Sequence, residues 1–230
     1  MEICYSPLPT QKGTPVPLEE GAAQAWLAQQ GFQVTDLHSE ILIVKKAKFP
    51  MAWACQKGEI NVCQWLYENG AAEDITRATS TASATPMILA CQEGHLAVCR
   101  WLFDMGAAAD ITTVDKEGES PMWIACYQGR LPVCEWLYEM GASEDICKRN
   151  NYGVTPMYVA SQNGHLSVCQ WLFKVGAAGD VTKADSDGLT PMYIACYEGH
   201  LPICKWLFES GAKDDIIGGN VGNNATPMYV

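Results

Sequence analysis

Apolar residues recur along the chain in two alternating helical patterns separated by polar loops. In one unit, Met87, Ala90 and Cys91 fall at positions i, i+3 and i+4, which places them on one face of a short helix. The next segment, residues 96–103, carries apolar residues around most of its circumference, as a helix buried between two neighbours does. The pattern therefore predicts a helix–loop–helix unit with one amphipathic and one largely buried helix.

This unit repeats along the chain. Prolines recur at intervals of 35 or 36 residues and tryptophans keep step with them, a self-similarity typical of solenoids whose repeats pack only on their neighbours. The copies share a Thr-Pro-Met start, a central Gly-His-Leu, a Cys-x-Trp-Leu segment and a closing Gly-Ala-x-x-Asp. The prolines are Pro50, Pro86, Pro121, Pro156, Pro191 and Pro227, and the tryptophans are Trp65, Trp101, Trp136, Trp171 and Trp206.

The repeat positions have physical reasons. A threonine before the proline can cap free N–H groups of the first helix, and proline fits the first helical position, where no N–H bond is lost. Glycine past a helix end, as at Gly94 and Gly106, closes each helix. The loops between copies, called fingers below, carry Asp or Asn with Gly three residues later, a type I turn pattern. The fingers before Pro86 and Pro227 lack that pattern, so we expect them to be looser.

These motifs resemble the ankyrin repeat, with Thr-Pro-Met in place of that family's Thr-Pro-Leu, followed by Ala, Gly-His-Leu and Gly-Ala. The resemblance covers residues 49–230 and implies an all-α solenoid of stacked helix–turn–helix repeats with finger loops. Tetratricopeptide repeats, with two long helices and a short turn, fit the long fingers less well. The histidine after Thr-Pro-Leu is missing, which puts its usual local hydrogen bond in doubt. Its place is taken by Ala52, Ile88, Trp123, Tyr158 and Tyr193.

The copies divide the chain into three parts. Five full repeats begin near residues 49, 85, 120, 155 and 190, and a sixth opens at 226 and stops at Val230. Residues 18–48 are predicted to form a capping helix or degenerate half repeat, with a short strand or decayed finger around Ile41 at its end. Residues 1–17 predict a loose tail. Because half a helix cannot cap a solenoid, we interpret the sequence as a fragment or a truncated product, which leaves a downstream domain open.

Charge and composition exclude several functions. The formal net charge of −11 argues against nucleic acid and against anionic membranes, which both require clustered Lys and Arg. No apolar run is long enough to span a membrane, and the first residues do not form a secretory signal. Eleven cysteines without an export signal favour free thiols in a reducing compartment. We therefore expect a cytoplasmic monomer.

Three recurring side chains are interpreted as structural. Cysteines separated by eight residues, such as Cys91 and Cys99, do not match zinc-site spacing and lie in apolar stripes, so they are assigned to the core. The histidines of Gly-His-Leu and the aspartates of Gly-Ala-x-x-Asp recur with the fold, whereas an active site is normally unique. The aspartates are interpreted as turn stabilisers. We predict no catalytic residues, no metal and no cofactor.

The candidate binding residues are those that differ between copies, because the fold does not require them. In the proteins that this chain resembles, partners contact the finger tips and the exposed end of the first helix, on the concave side. Tyrosines there are attractive anchors, since Tyr is enriched at interface hot spots. The predicted partner-binding residues are Gln92, Glu93, Lys116, Glu117, Tyr127, Gln128, Tyr152, Gln162, Asn163, Asp187, Tyr197 and Glu198.

The sequence is therefore interpreted as a scaffold that binds another protein, not an enzyme. Two alternatives remain open from the residues alone. The array is the targeting part of a larger enzyme cut off at the C-terminus, or it is a cysteine-rich, redox-sensitive adaptor. The identity of the partner does not follow from the repeat, because one fold serves many functions.

Overall fold

The computed structural model describes residues 20–32, 41–43 and 46–216. The predicted tail 1–17 and the sixth copy from 226 lie outside these residues, as does the finger before Pro227. Helix α1 precedes a hairpin in which β1 pairs antiparallel with β2, with Ile41 opposite Lys48. Five helix pairs follow. The elements are α1 Glu20–Gln29, β1 Ile41–Ile43, β2 Lys46–Lys48, α2 Pro50–Lys57, α3 Ile60–Leu66, α4 Pro86–Glu93, α5 Leu96–Leu102, α6 Pro121–Tyr127, α7 Leu131–Glu139, α8 Pro156–Gln162, α9 Leu166–Leu172, α10 Pro191–Tyr197 and α11 Leu201–Glu209.

The first helix of each pair begins as the Thr-Pro pattern predicts. The Thr85 hydroxyl accepts a hydrogen bond from the Ile88 N–H at 3.3 Å, and Thr155 and Thr190 cap α8 and α10 in the same way. Ser120 takes this role in α6. The first copy differs, because Phe49 at this position has no side-chain acceptor for the helix.

Glycines end the second helices. In three copies the helix widens into a last π turn, over Tyr67–Ala71, Phe103–Ala107 and Phe173–Ala177, and each turn contains a glycine at positive φ. A short 3₁₀ helix follows in every copy and leads into the next finger. The 3₁₀ helices are Ala72–Ile75, Ala108–Ile111, Ser143–Cys147, Ala178–Thr182 and Asp214–Ile216.

The pairs stack in sequence order. Helix α2 packs on α4, α4 on α6, α6 on α8 and α8 on α10, while α3, α5 and α7 form a second row and α1 packs on α3. The methionine that follows the repeat proline is at most 1% exposed in the five described copies, and one continuous core runs through all five. The all-α repeat solenoid expected from the sequence is therefore confirmed, with the short β1–β2 hairpin added before the first repeat.

The repeated tryptophans form an aromatic ladder between copies. Four of these five rings each meet, edge to face, an aromatic ring of the preceding second helix, at centroid distances of 5.7 to 5.9 Å. Edge-to-face pairs contribute about 0.5–1.5 kcal/mol each beyond the area that they bury. This contact explains why Trp recurs at one position. The pairs are Tyr67–Trp101, Phe103–Trp136, Tyr138–Trp171 and Phe173–Trp206.

The histidines join neighbouring copies. His165 Nε2 lies 3.0 Å from the Tyr127 carbonyl oxygen of the preceding repeat, and as that oxygen can only accept, the ring nitrogen donates. His95 and His200 make the same bond to the carbonyls of Gln56 and Gln162. Burial lowers the pKa of His165, which favours its neutral form. These histidines therefore have a structural role.

Arg130 replaces histidine in the third copy and keeps the contact, since its Nε donates to the Gln92 carbonyl oxygen at 3.3 Å. Each of these side chains covers a glycine of the preceding copy. A Cβ added to Gly129 would lie 2.5 Å from His165 Nδ1, and one added to Gly94 would lie 2.7 Å from Arg130 Cδ. Glycine is required at this position for two reasons, its positive φ and this close approach of the next copy.

The repeated aspartates, interpreted from the sequence as turn stabilisers, are buried in four of the five described copies, at Asp74, Asp110, Asp145 and Asp180. A basic residue three positions later pairs with three of them: Asp74 with Arg77, Asp145 with Lys148, and Asp180 with Lys183, at 3.0 to 3.3 Å. One oxygen each of Asp110, Asp145, Asp180 and Asp215 is buried without a hydrogen-bond partner. The stack buries this position, which a local turn pattern cannot reveal.

The finger before Pro86 is closed, contrary to the looser conformation expected for it. Thr79 takes the place of the Asp or Asn that closes the other fingers. Its N–H donates to the Ala84 carbonyl, and its hydroxyl accepts from the Ala84 N–H at 3.3 Å. Ser83 adopts a positive φ of 53° to accommodate one extra residue. A hydroxyl therefore closes this finger where a carboxylate or amide closes the others.

Replacing Gly129 by Ala should destabilise the protein by about 2–3 kcal/mol, because the new Cβ meets both a positive φ and the His165 ring. Gly179→Ala is the matched control. Gly179 has no positive φ and no atom within 4 Å of an added Cβ, so its variant should stay within about 0.5 kcal/mol of the parent. Urea denaturation followed by circular dichroism measures both, and equal effects would contradict the close-approach argument.

Thr113→Lys should stabilise the protein above neutral pH by roughly 0.5–1 kcal/mol. Asp110 has Thr113 where three other copies have a base, and burial raises the Asp110 pKa from 3.8 to about 6. The stability that this raised pKa contributes is complete below pH 3.8 and is lost as pH rises through about 6. A lysine lowers the pKa and reduces that loss. Denaturation curves should separate the two proteins at about pH 8 and converge near pH 4.

Candidate functional site

The four described fingers share one hydrogen-bonded turn. In the finger of the third copy, Asp115 accepts from the backbone N–H of Glu117 and Glu119 at 3.0 and 2.9 Å. Asn150 and Asp185 make the corresponding pairs of bonds in the next two fingers. These bonds fix the direction in which each finger projects.

Successive fingers are also joined to one another through the backbone. The Lys116 N–H donates to the Ala82 carbonyl oxygen at 3.2 Å, and the Asn151 N–H donates to that of Glu117 at 2.9 Å. The Ser186 N–H bonds the Tyr152 carbonyl in the same way at 3.1 Å. The fingers therefore form a continuous, ordered edge beside the first helices.

Two adjoining grooves lie between this edge and the first helices. The larger groove, of about 350 Å³, runs over the first three repeats, and the smaller, of about 320 Å³, lies against α6. Gln92, Glu119 and Ile124 line both grooves and mark where they meet. The larger groove is completed by Gln56, Thr79, Thr81, Ala82, Ala84, Ile88, Leu89, Asp115 and Lys116, and the smaller by Trp123, Tyr127 and Gln128.

Glu119 is the unusual residue at this junction. Its side chain is only partly exposed, and one carboxylate oxygen accepts from Asn150 Nδ2 at 3.3 Å. Burial, followed by the negative charge of Asp115, raises the Glu119 pKa from 4.5 to about 7. A carboxyl group with such a pKa changes its charge in the physiological range.

Two stacked aromatic rings form one side of the smaller groove. The rings of Trp123 and Tyr127 are 5.7 Å apart and nearly parallel, at 12°. Trp123 is 6% exposed and donates from Nε1 to the Val154 carbonyl oxygen of the next finger at 3.0 Å. Tyr127 is 39% exposed. A fixed ring therefore supports an accessible one, which suits a contact surface.

The structure separates the predicted binding residues into two sets. Four of them line the grooves: Gln92, Lys116, Tyr127 and Gln128. Glu93 lies beside them and accepts from Gln56 Nε2 at 3.3 Å. The others lie outside both grooves, on the finger edge or on later first helices. That outer set is Glu117, Tyr152, Gln162, Asn163, Asp187, Tyr197 and Glu198.

The predicted partner-binding residues did not include those of the groove floor, Ile88, Trp123 and Ile124, which are at most 8% exposed. Glu119 was likewise not among them. Its distinctive signal was available in the sequence, since no other copy has an acidic residue at this position, where Lys48, Ala84, Val154, Leu189 and Ala225 stand.

A family model of ankyrin repeats matches residues 22–115, 51–150, 107–185 and 142–217. The chain belongs to the ankyrin repeat family. Ankyrin repeats are in general protein–protein interaction modules, and the two grooves lie where fingers and first helices meet. A comparison with curated proteins finds no match for this sequence.

This ankyrin array departs from the family pattern where the usual histidine is missing. Trp123 uses its indole N–H to bond the next finger, a longer contact than the local one expected of that histidine. Tyr158, one copy later, is also buried. Burial and then the Asp185 charge on the next finger raise its pKa. In these two copies an aromatic residue therefore connects the first helix to the following finger.

The cysteines of the ankyrin array pack in pairs inside four of the five described copies, and Ser161 replaces one of them beside Cys169 in the fourth. The two sulfur atoms lie 3.6 Å apart for Cys91 and Cys99, and 3.1 Å apart for Cys196 and Cys204. Seven of the ten described cysteines are buried. Burial raises the pKa of Cys91, and raises that of Cys169 to about 11. Neutral, buried thiols are poor nucleophiles, which agrees with the packing role assigned to them.

Among residues 20–32, 41–43 and 46–216, no helix combines the length and the apolar character that crossing a membrane requires. The same residues contain no group of three or more His, Cys, Asp or Glu side chains placed to hold a metal ion.

Glu119→Gln should leave the array folded and stabilise it at high pH. The parent loses stability as pH rises from 4.5 through about 7, since the folded-state pKa of Glu119 is raised, whereas glutamine does not titrate. Allowing for solvent screening of a half-exposed group, the gain near pH 8 is about 1–2 kcal/mol. Chemical denaturation at several pH values measures it. A loss of stability near pH 8 would mean that the charged carboxylate has a stabilising partner within the fold.

Proposed function

We propose that this ankyrin array is a scaffold that holds a partner protein in the two grooves across its first three repeats. The observation that carries the proposal is the composition of the smaller groove. It combines the accessible Tyr127 ring with the amide side chains of Gln92 and Gln128, on a floor that includes Ile124. Protein-binding hot spots typically consist of such an aromatic anchor beside polar groups that fix orientation.

The rigidity of the site supports the same conclusion. The finger edge is hydrogen-bonded from copy to copy, and Trp123 is held by the next finger. A preformed surface loses little conformational entropy when a partner binds, so that more of the contact energy appears as affinity. The amides of Gln56 on α2, Gln92 on α4 and Gln128 at the end of α6 line the grooves and offer donors and acceptors to an extended peptide backbone.

The remaining predictions belong with this proposal. We propose that the array itself catalyses no reaction, that it acts as a monomer in the cytoplasm, and that it does not bind nucleic acid because its net charge is −11. Light scattering tests whether the array is a monomer, and cell fractionation tests whether it is cytoplasmic. An attached catalytic domain stays a separate hypothesis, decided by the coding sequence beyond Val230.

Replacing Tyr127 by Ala should reduce partner capture at least about tenfold, the loss expected for a hot-spot residue. Tyr197→Ala is the matched comparison. Tyr197 stacks on Tyr193 at 6.5 Å and 12°, much as Tyr127 stacks on Trp123, but it lines neither groove. Its variant should retain the partner. The measurement is quantitative mass spectrometry of proteins retained by the immobilised array. If Tyr197→Ala loses the partner and Tyr127→Ala does not, the site lies on the later repeats.

A further inference from the structure

Glu119 occupies a position at which the second, fourth and fifth copies have the apolar residues Ala84, Val154 and Leu189, and the first copy has Lys48. Val154 and Leu189 make the same backbone bonds as Glu119, donating from N–H to the finger's Asn150 or Asp185 side chain at 2.9 to 3.0 Å. The finger therefore closes without a carboxylate. Folding therefore does not explain why a carboxylate occupies this position.

The part of the chain that the structure describes gives this carboxylate no cation. Among the described ion pairs, none includes Glu119. The nearest base in sequence is Lys116, whose Nζ donates to the Thr81 carbonyl oxygen and lies 3.7 Å from Glu117. The only side-chain bond described for Glu119 comes from the neutral amide of Asn150. A half-buried carboxylate without a counter-ion is poorly placed in the free protein and gains from a cation that arrives with a partner.

Glu119 is also set among groups that suit a basic side chain. It lies at the junction of both grooves, beside the Tyr127 ring on one side and the apolar surfaces of Ile88 and Leu89 on the other. An arginine or lysine combines a cationic end with a hydrocarbon stem, and each part matches one of these surfaces. The accessible Tyr127 ring attracts a cation through its face. A strongly acidic chain also draws a basic partner towards it.

We propose that the groove junction receives an arginine or lysine side chain from a basic segment of the partner protein, with Glu119 as its ion-pair acceptor and Tyr127 as the surface on which its stem packs. The inference rests on the proposed function, since it specifies what the scaffold recognises. Residues flanking the basic side chain in the partner pack on the apolar floor of the larger groove, and their backbone bonds the amides of Gln56 and Gln92.

The proposal predicts a pH dependence as well as a charge preference. The groups that act on Glu119 are Asp115 and Glu117 on its own finger and the neutral Asn150 on the next, and Lys116 lines the same groove. Because the Glu119 pKa is about 7, the carboxylate is fully charged only above neutral pH. A partner arginine stays protonated throughout. Affinity should therefore rise as pH increases through about 7, and this rise should be absent in Glu119→Gln.

The test uses the whole chain and a phage-displayed library of random dodecapeptides. Enriched peptides are resynthesised, and their affinities for four proteins are measured by calorimetry: the parent, Glu119→Gln, Tyr127→Ala and the control Glu135→Gln. Glu135 is exposed on α7, away from both grooves, and its variant removes the same charge. Thermal denaturation establishes that each variant is folded.

The expected result is a set of peptides with a shared arginine or lysine. These bind Glu119→Gln and Tyr127→Ala at least about tenfold more weakly than the parent, and bind Glu135→Gln equally well. Replacing the shared arginine by the neutral isostere citrulline should cause the same loss as Glu119→Gln, and no further loss in that variant. Such non-additivity assigns the two groups to one contact.

Two other outcomes separate the inference from the proposed function. Peptides that depend on Tyr127 but lack a common basic residue, or that bind Glu119→Gln undiminished, overturn the cation pocket and leave the scaffold proposal standing. A failure to enrich peptides, or the enrichment of peptides unaffected by Tyr127→Ala, overturns both, because the grooves would then not be the binding surface.

Discussion

The array depends on one contact that each repeat makes with the repeat before it. A histidine or arginine from the loop between two helices reaches back over a glycine and donates to a carbonyl oxygen at the end of the preceding first helix. That carbonyl has no partner within its own helix, because the last turn of a helix leaves its carbonyls unpaired. The bond therefore completes one repeat with a donor from the next and sets the distance between them.

The framework residues of the repeat follow from this contact. The glycine must lack a side chain, since any Cβ would collide with the ring or guanidinium that covers it. Once the spacing is set, the tryptophan of one copy meets the aromatic ring of the previous copy on the second helices. The finger edges then come close enough to bond through their backbones. The stack is thus held at three levels, and each is local to a pair of neighbours.

The same stacking buries carboxyl side chains, and the repeat does not stabilise the charged form of all of them. Burial of the aspartates of Gly-Ala-x-x-Asp costs stability. Three copies offset this cost with a basic residue three positions later, whereas Asp110 has no such residue. Glu119 is a second group whose charged form the fold disfavours. The two differ in where they lie. Asp110 is buried within the stack, whereas Glu119 lines two open grooves, where a partner can supply the charge that the fold lacks.

The sequence alone determined the repeat, its helices and its caps, because these depend on spacings within about 35 residues that any copy displays. It also indicated correctly which histidines and cysteines are structural. Only the tertiary structure decided which variable residues lie together. Tyr127 and Tyr197 are equivalent in sequence, yet only Tyr127 lines a groove, beside a glutamate that the other copies lack. The larger groove joins residues from three repeats, and the burial that raises the pKa of Glu119 and of Asp110 arises from stacking. Neither this groove nor this burial is encoded in the pattern of a single repeat.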